Sequence, residues 1–198
     1  MASAGDKLPI GTIILAGGLS RRMGRHKALI PLGNSTFIGT IATCHEEAGA
    51  ESILAVTHRG VFDDPAFPQE GRFDLLVLDE PTESPLHTLR AALDRIGTIW
   101  RAFLLHPVDY PLVKAATVRA MITHYLKRGA AIVQPLHGGR GGHPVLIDMS
   151  LLDEIRAAPS DEGLRHVVRA DPGRVERLVV DDPGVRRGMN SPADLEGL

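Results

Sequence analysis

The chain has 198 residues, 43% of them hydrophobic and 23% charged, the proportions of one ordinary globular domain and not of a disordered chain. Twenty-two lysines and arginines against 24 acidic residues leave a net charge of −2, without the basic excess of a dedicated nucleic-acid binder. No apolar run nears the roughly 20 residues of a membrane span, the start lacks the stretch of a secretory signal, and the lone Cys44 excludes an internal disulfide, so a reducing cytoplasm is the expected compartment.

Residues 1–9 read as an N-terminal extension, expected to be mobile, ahead of one domain over 10–198. A first strand is predicted over 12–16, running into a glycine-rich loop. Phe37, Ile38, Ile41, Cys44 and Ala48 then form a helical stripe, followed by strands over 52–57 and 73–78. Leu86, Leu89, Leu93 and Ile96 make a second stripe, and 103–106 a fourth strand. Val118, Met121, Ile122 and Tyr125 keep the i, i+3, i+4, i+7 rule; strands over 131–134 and 144–147 flank a second glycine stretch. Leu151, Leu152 and Ile155 suggest a further helix, 175–180 a last strand. Ser191-Pro192 announces a closing helix, with Ser191 as N-cap, Pro192 at N1 and Asp194 in the first turn. Several strands are apolar at successive positions, as when helices cover both faces. The expectation is a single-domain, three-layer α/β/α fold with a mostly parallel, doubly wound sheet, whose ligand sits beyond the carboxyl ends of the strands.

Two places answer to that position. Gly17-Gly18-Leu19-Ser20-Arg21-Arg22-Met23-Gly24-Arg25-His26-Lys27 follows the first strand. Its glycines let backbone approach an anion, and Arg21, Arg22 and Lys27 suit phosphate. It is not a P-loop, since Lys27 precedes Ala28 and no hydroxyl follows, nor a G-x-G-x-x-G dinucleotide turn. After the fourth strand, Pro107-Val108-Asp109-Tyr110-Pro111 aims one carboxylate at the same edge. A hard oxygen is what magnesium prefers, although Asp109 could equally cap the helix beginning near Lys114. The nine histidines show no local zinc spacing and read as surface or core fillers, and Cys44 reads as a small buried hydrophobe.

The first loop resembles the L-A-G-G-x-S-x-R-M-G-x-x-K signature of the MobA-like nucleotidyltransferases, matched by Leu15, Ala16, Gly17, Gly18, Ser20, Arg22, Met23, Gly24 and Lys27. The Asp109 segment is similar to the family's P-x-D-x-P motif. Met189-Asn190-Ser191-Pro192-Ala193-Asp194-Leu195 resembles its closing D-x-[DN]-T-P-E-D-L, with Gly188 in place of an acid. Gly142-His143-Pro144-Val145 and Ser160-Asp161-Glu162-Gly163-Leu164-Arg165 are most similar to the branch that cytidylylates molybdenum cofactor. Ser84, Pro85, Thr88 and Leu89 echo a nucleotide-holding stretch only loosely.

The resemblance implies a fold of the nucleotide-diphospho-sugar transferase type and a magnesium-dependent nucleotidyltransferase, with manganese able to substitute. It would move a nucleoside monophosphate from a triphosphate, CTP before GTP, to a phosphorylated acceptor and release pyrophosphate. Molybdopterin or molybdenum cofactor is the favoured acceptor, and a molybdoenzyme or cofactor-delivery protein a candidate partner; nucleic acid and membrane are not expected partners. By the same resemblance Arg22, Lys27 and Asp109 are catalytic, with Arg22 on the leaving phosphates and Lys27 on the α-phosphate. Leu15, Ala16, Gly17, Gly18, Ser20, Arg21, Met23 and Gly24 join them around the nucleotide. Asp109 and Asn190 would hold the metal, and Arg140, His143, Asp161 and Arg165 would meet the acceptor. A sugar- or polyol-phosphate nucleotidyltransferase and a non-catalytic cofactor-delivery protein stay open as alternatives.

Overall fold

The computed structural model describes residues 9–20, 23–68, 73–82 and 84–196; residues 1–8 of the expected extension lie outside them. The chain begins with β1 (Ile10–Leu15), a small hairpin of β2 (Pro31–Leu32) and β3 (Ser35–Thr36), and α1 (Phe37–Ala48). There follow β4 (Ser52–His58), the single turn α2 (Arg59–Phe62), β5 (Asp74–Leu78), α3 (Pro85–Ile96), β6 (Ala102–Pro107) and α4 (Ala115–Arg128). The last third holds β7 (Ile132–His137), β8 (Arg140–Gly141), β9 (Val145–Asp148), α5 (Leu152–Ala157), α6 (Leu164–Ala170) and β10 (Val175–Val179).

Among the described residues the main sheet runs β10-β7-β9-β6-β1-β4-β5, with β8 on β7. β1 is parallel to β4 on one side and to β6 on the other, and Leu15 lies level with both Val56 and Pro107. The carboxyl ends of β1 and β6 therefore share one edge, at the point where the chain changes the direction in which it builds the sheet. That is where ligands collect in such folds.

Helices cover both faces. Ile13, Leu15, Phe103 and Leu105 bury against Leu86, Leu89 and Leu93 of α3, with Ile155 of α5 and Val167 of α6 in the same cluster. On the other face α1 contributes Phe37, Ile38 and Ile41, and α4 contributes Val118, Met121 and Tyr125, against the alternate strand residues. Each such buried aliphatic side chain is worth roughly 1.5–3 kcal/mol. Ser84 and Pro85 start α3, the Ser84 side chain accepting from the His87 amide, and Gly97 at φ 61° ends it. α4 is started from a distance: the buried Asp182 accepts from the Lys114 amide (2.9 Å) and the Thr117 hydroxyl (2.7 Å). Asp109 is thereby relieved of the capping role open to it in the sequence.

One expectation gains a detail and one needs correction. The strand expected over 144–147 is β9, and it runs antiparallel between β6 and β7. Gly138 and Gly139, both at positive φ, turn β7 back on itself, so the chain re-enters the sheet from the opposite end. The closing helix is only a 3-10 turn, Pro192–Leu195. Ser191 and Pro192 hold the expected N-cap and N1 places, but the Asp194 carboxylate accepts from the Asn190 and Ser191 amides and the Ser191 hydroxyl, a closed local knot. The hairpin β2–β3 and the single turn α2 are too short to show a period, and α6 places Arg165 on a helix.

Candidate active site

A cleft of about 940 Å³ opens at the shared carboxyl edge. Its floor is the loop after β1. Ser20 sits at φ 50°, unusual for a residue with a Cβ. Its carbonyl accepts from the Met23 amide (2.9 Å) and its hydroxyl from the Lys27 amide (3.1 Å), so the loop closes on itself. Met23, Ala28 and Leu29 are buried and fasten the loop to the core. The strip between is bare: a Cβ on Gly17 would press on Thr88 at 3.2 Å, whereas one on Gly18 would meet nothing within 4 Å. Thr82 donates its amide to the Gly17 carbonyl (3.1 Å), and its hydroxyl shares a 2.5 Å hydrogen bond with that of Thr88.

Opposite the loop stands the turn after β6. The Tyr110 amide donates to the Pro107 carbonyl (3.1 Å), leaving Val108 and Asp109 at the turn's centre. The Val108 amide donates to Leu15 (3.1 Å) and the Met189 amide to the Asp109 carbonyl (2.7 Å). Three distant segments thus meet at one carboxylate. The Lys27 ammonium lies 2.8 Å from Asn190 Oδ1, across 163 positions of sequence, and 3.5 Å from Asp109 Oδ2. Two hard oxygens converge on one cation.

Of the residues expected around the nucleotide, Leu15, Ala16, Gly17, Gly18, Ser20 and Lys27 line this cleft with Asp109 and Asn190. Met23 is a buried anchor, and Gly24, at φ 66°, is an exposed turn. Arg21 and Arg22 lie outside the described residues. On the acceptor side His143, Asp161 and Arg165 line the cleft. Arg140 sits exposed on the β7–β8 hairpin and lines neither the cleft nor its neighbour, because the Gly138–Gly139 turn carries it away. The Asn190 and Asp109 oxygens suit magnesium, which takes few protein ligands and completes its shell with phosphate and water. Among the described residues no group of three His, Cys, Asp or Glu side chains could hold a metal by itself.

A second cavity, about 390 Å³, adjoins the first and shares His143, Leu164 and Arg165 with it. Arg169, one helical turn from Arg165, and Arg186 make its lining cationic, and among the described residues no carboxylate lines it. The His143 ring leans on Tyr110 at 4.7 Å, and its buried Nδ1 has no protein partner. Burial lowers the His143 pKa, so the ring is neutral near pH 7. Arg169, Arg186 and Tyr110 escaped the sequence reading, since only the fold brings β7, α6 and the Pro183–Arg186 turn together. Cys44 is as expected: its buried thiol donates to Val113 and its pKa is pushed up to about 12.

Comparison with known proteins agrees with this geometry. A family profile described as the MobA-like NTP transferase domain matches residues 12–176. The molybdenum cofactor guanylyltransferase of Rhodobacter capsulatus is 31% identical over 94% of this chain and 93% of its own length. The molybdenum cofactor cytidylyltransferase of Escherichia coli K12 is 26% identical over 80% of each. Among solved structures, Rv0371c of Mycobacterium tuberculosis H37Rv superposes with a TM-score of 0.81 at 23% identity over 96% of both chains. With the glycine loop, Lys27 and Asp109 assembled at one sheet edge, the chain belongs to the MobA-like NTP transferase domain family and is a nucleotidyltransferase.

Proposed function

We propose that the chain transfers a nucleoside monophosphate from a nucleoside triphosphate to a phosphorylated pterin acceptor, in the biosynthesis of molybdenum cofactor. The observation that carries this reading is the convergence of Lys27, Asp109 and Asn190 within 3.5 Å beside the bare Gly17–Gly18 strip. The triphosphate lies along that strip, where backbone alone faces it. Asp109 and Asn190 would hold a divalent cation, magnesium or manganese, which supplies Lewis-acid polarisation of phosphate oxygens. Lys27, already at those oxygens, adds positive charge where the α-phosphate is read to sit, and Arg22 is assigned to the leaving phosphates.

An acceptor phosphate oxygen attacks the α-phosphorus. The new P–O bond forms as the bond to the β-phosphate bridging oxygen breaks, and pyrophosphate leaves with the electron pair. The acceptor phosphate is ionised at neutral pH, so no general base is needed; the protein's work is alignment and charge neutralisation. His143, Asp161 and Arg165 border the acceptor, and the cationic cavity of Arg169 and Arg186 receives the part of it beyond the phosphate. CTP is the favoured donor on the Gly142–Val145 and Asp161–Arg165 segments. The longer and closer likeness to a guanylyltransferase makes GTP the second reading.

The test is a matrix of four triphosphates against molybdenum cofactor, molybdopterin and sugar phosphates, with Mg2+, Mn2+ or chelator, read by pyrophosphate release. Release is expected only with a pterin acceptor and a divalent ion. Asp109→Ala and Lys27→Ala should each lose about 100- to 1000-fold with little change in thermal stability. Release with sugar phosphates alone would move the acceptor assignment. Triphosphate binding with no release against any acceptor would favour a delivery protein.

A further inference from the structure

Thr12, His45 and His106 are fully buried polar residues on β1, α1 and β6, and none of them lines the cleft. They form one unbroken chain. Thr12 Oγ1 lies 2.8 Å from His45 Nδ1, His45 Nε2 lies 2.7 Å from His106 Nδ1, and His106 Nε2 lies 2.9 Å from the Tyr110 carbonyl oxygen. The last partner sets the direction of every bond. A carbonyl only accepts, so His106 donates from Nε2; in the neutral ring that burial favours, its Nδ1 then accepts, so His45 donates from Nε2 and takes the Thr12 hydroxyl at Nδ1. Both rings are neutral and every nitrogen is used. Burial lowers both pKa values, that of His106 to about 4, which agrees with this pattern.

A core needs no such chain. Leucines at 45 and 106 would fill the same face, and buried hydrogen bonds that merely replace bonds to water add little to stability. What the chain does have is an address. It ends on the carbonyl of the residue after Asp109, on a turn whose backbone is otherwise hydrogen-bonded to the backbone of Leu15, Pro107 and Met189. His106 is the buried side chain whose hydrogen bond reaches the backbone of this turn and ties it, through His45, to α1.

We propose that the Thr12–His45–His106 chain is a positioning device, holding the Val108–Asp109 turn so that the Asp109 carboxylate stays in register with Lys27 and Asn190. The inference rests on the role given to Asp109 above. Groups that orient metal-binding side chains from behind typically contribute 10- to 100-fold in metal affinity or activity.

The experiment compares His106→Leu, His106→Gln, Thr12→Val and the core control Val118→Ala in the full chain. It measures kcat, the Mn2+ bound in the presence of triphosphate by electron paramagnetic resonance, and the thermal midpoint. His106→Leu should lose about 10- to 100-fold in kcat and in Mn2+ affinity, with the acceptor KM near wild type. His106→Gln keeps a donor toward Tyr110 and should recover most of both, and Thr12→Val should show a smaller loss in the same direction. The proposal is overturned if His106→Leu keeps wild-type kcat and Mn2+ affinity, if Val118→Ala of equal thermal loss behaves alike, or if Gln is no better than Leu. Should His106→Leu not fold, Thr12→Val and His106→Gln decide the matter by the same Mn2+ readout. Asp109→Ala separates the two levels: full turnover there defeats the functional reading, whereas lost turnover with unaffected His106 variants defeats the positioning chain alone.

Discussion

Lys27 occupies an unusual position for a lysine proposed to meet phosphate. Its ammonium is held by the two oxygens that would ligate a divalent cation, at 2.8 Å from Asn190 and 3.5 Å from Asp109. Lysine and metal therefore compete for the same electron density before a nucleotide arrives, and removing the lysine should change two measurements in opposite directions. Lys27→Met is expected to bind Mn2+ more tightly without nucleotide, because a unit positive charge within 4 Å no longer repels it. The same variant should lose about 100- to 1000-fold in turnover, since the phosphates then lack a preorganised cation. Titration of free Mn2+ by electron paramagnetic resonance checks the first and pyrophosphate release the second. Unchanged Mn2+ affinity would show that Asp109 and Asn190 do not share a cation position. Burial alone would not have picked Lys27 out; its two oxygen partners do.

At the scale of elements, two kinds of glycine serve the cleft, and substitution should tell them apart. Gly142 has no room: a Cβ there would lie 2.2 Å from the Val185 carbonyl oxygen, so backbone must move, and His143 would move with it. Gly142→Ala should cost about 1–3 kcal/mol by overpacking, read as a lower urea midpoint. A Cβ on Gly18 would meet none of the described residues within 4 Å and its φ is not positive, so Gly18→Ala should leave the midpoint alone and raise the KM for triphosphate. The glycine loop and the strand–helix alternation were legible in the sequence because each is a local pattern of contiguous residues, whereas Asp109, open by itself to a capping role, stood out only through the resemblance of its Pro107–Pro111 segment. The antiparallel course of β9 was not, since an apolar run has no direction until a turn supplies one. The histidine chain left a fainter trace. His45 falls between Ile41 and Ala48 on the buried stripe of α1, and His106 follows Ala102 and Leu104 on the inward face of β6. A histidine at an apolar position of two neighbouring elements is a pairing signal, yet 61 residues separate the two and the packing of α1 on the sheet is what joins them.

Taken as a whole, the molecule keeps uncharged imidazoles in its interior, and that makes its stability depend on pH in a calculable direction. His45 and His106 are buried with lowered pKa values, and burial also lowers those of His58 and His143. The unfolded chain protonates these rings near pH 6.5, whereas folded His106 resists until about pH 4. Between those values the unfolded state holds more protons, so folding free energy falls as pH drops through that window and is flat above it. For His106 alone the gap corresponds to roughly 3 kcal/mol, a large share of the 5–15 kcal/mol typical of a domain. The lowered carboxyl pKa values of Asp148 and Asp194 add losses only at still more acid pH. Urea midpoints taken from pH 7.5 down to pH 4.5 should therefore decline from about pH 6.5 in the wild type. In His106→Leu the slope should shrink, by up to about 1.4 kcal/mol per pH unit. An equal slope in the two proteins would mean that His106 takes up its proton alike in the folded and the unfolded chain, against the burial that lowers its pKa.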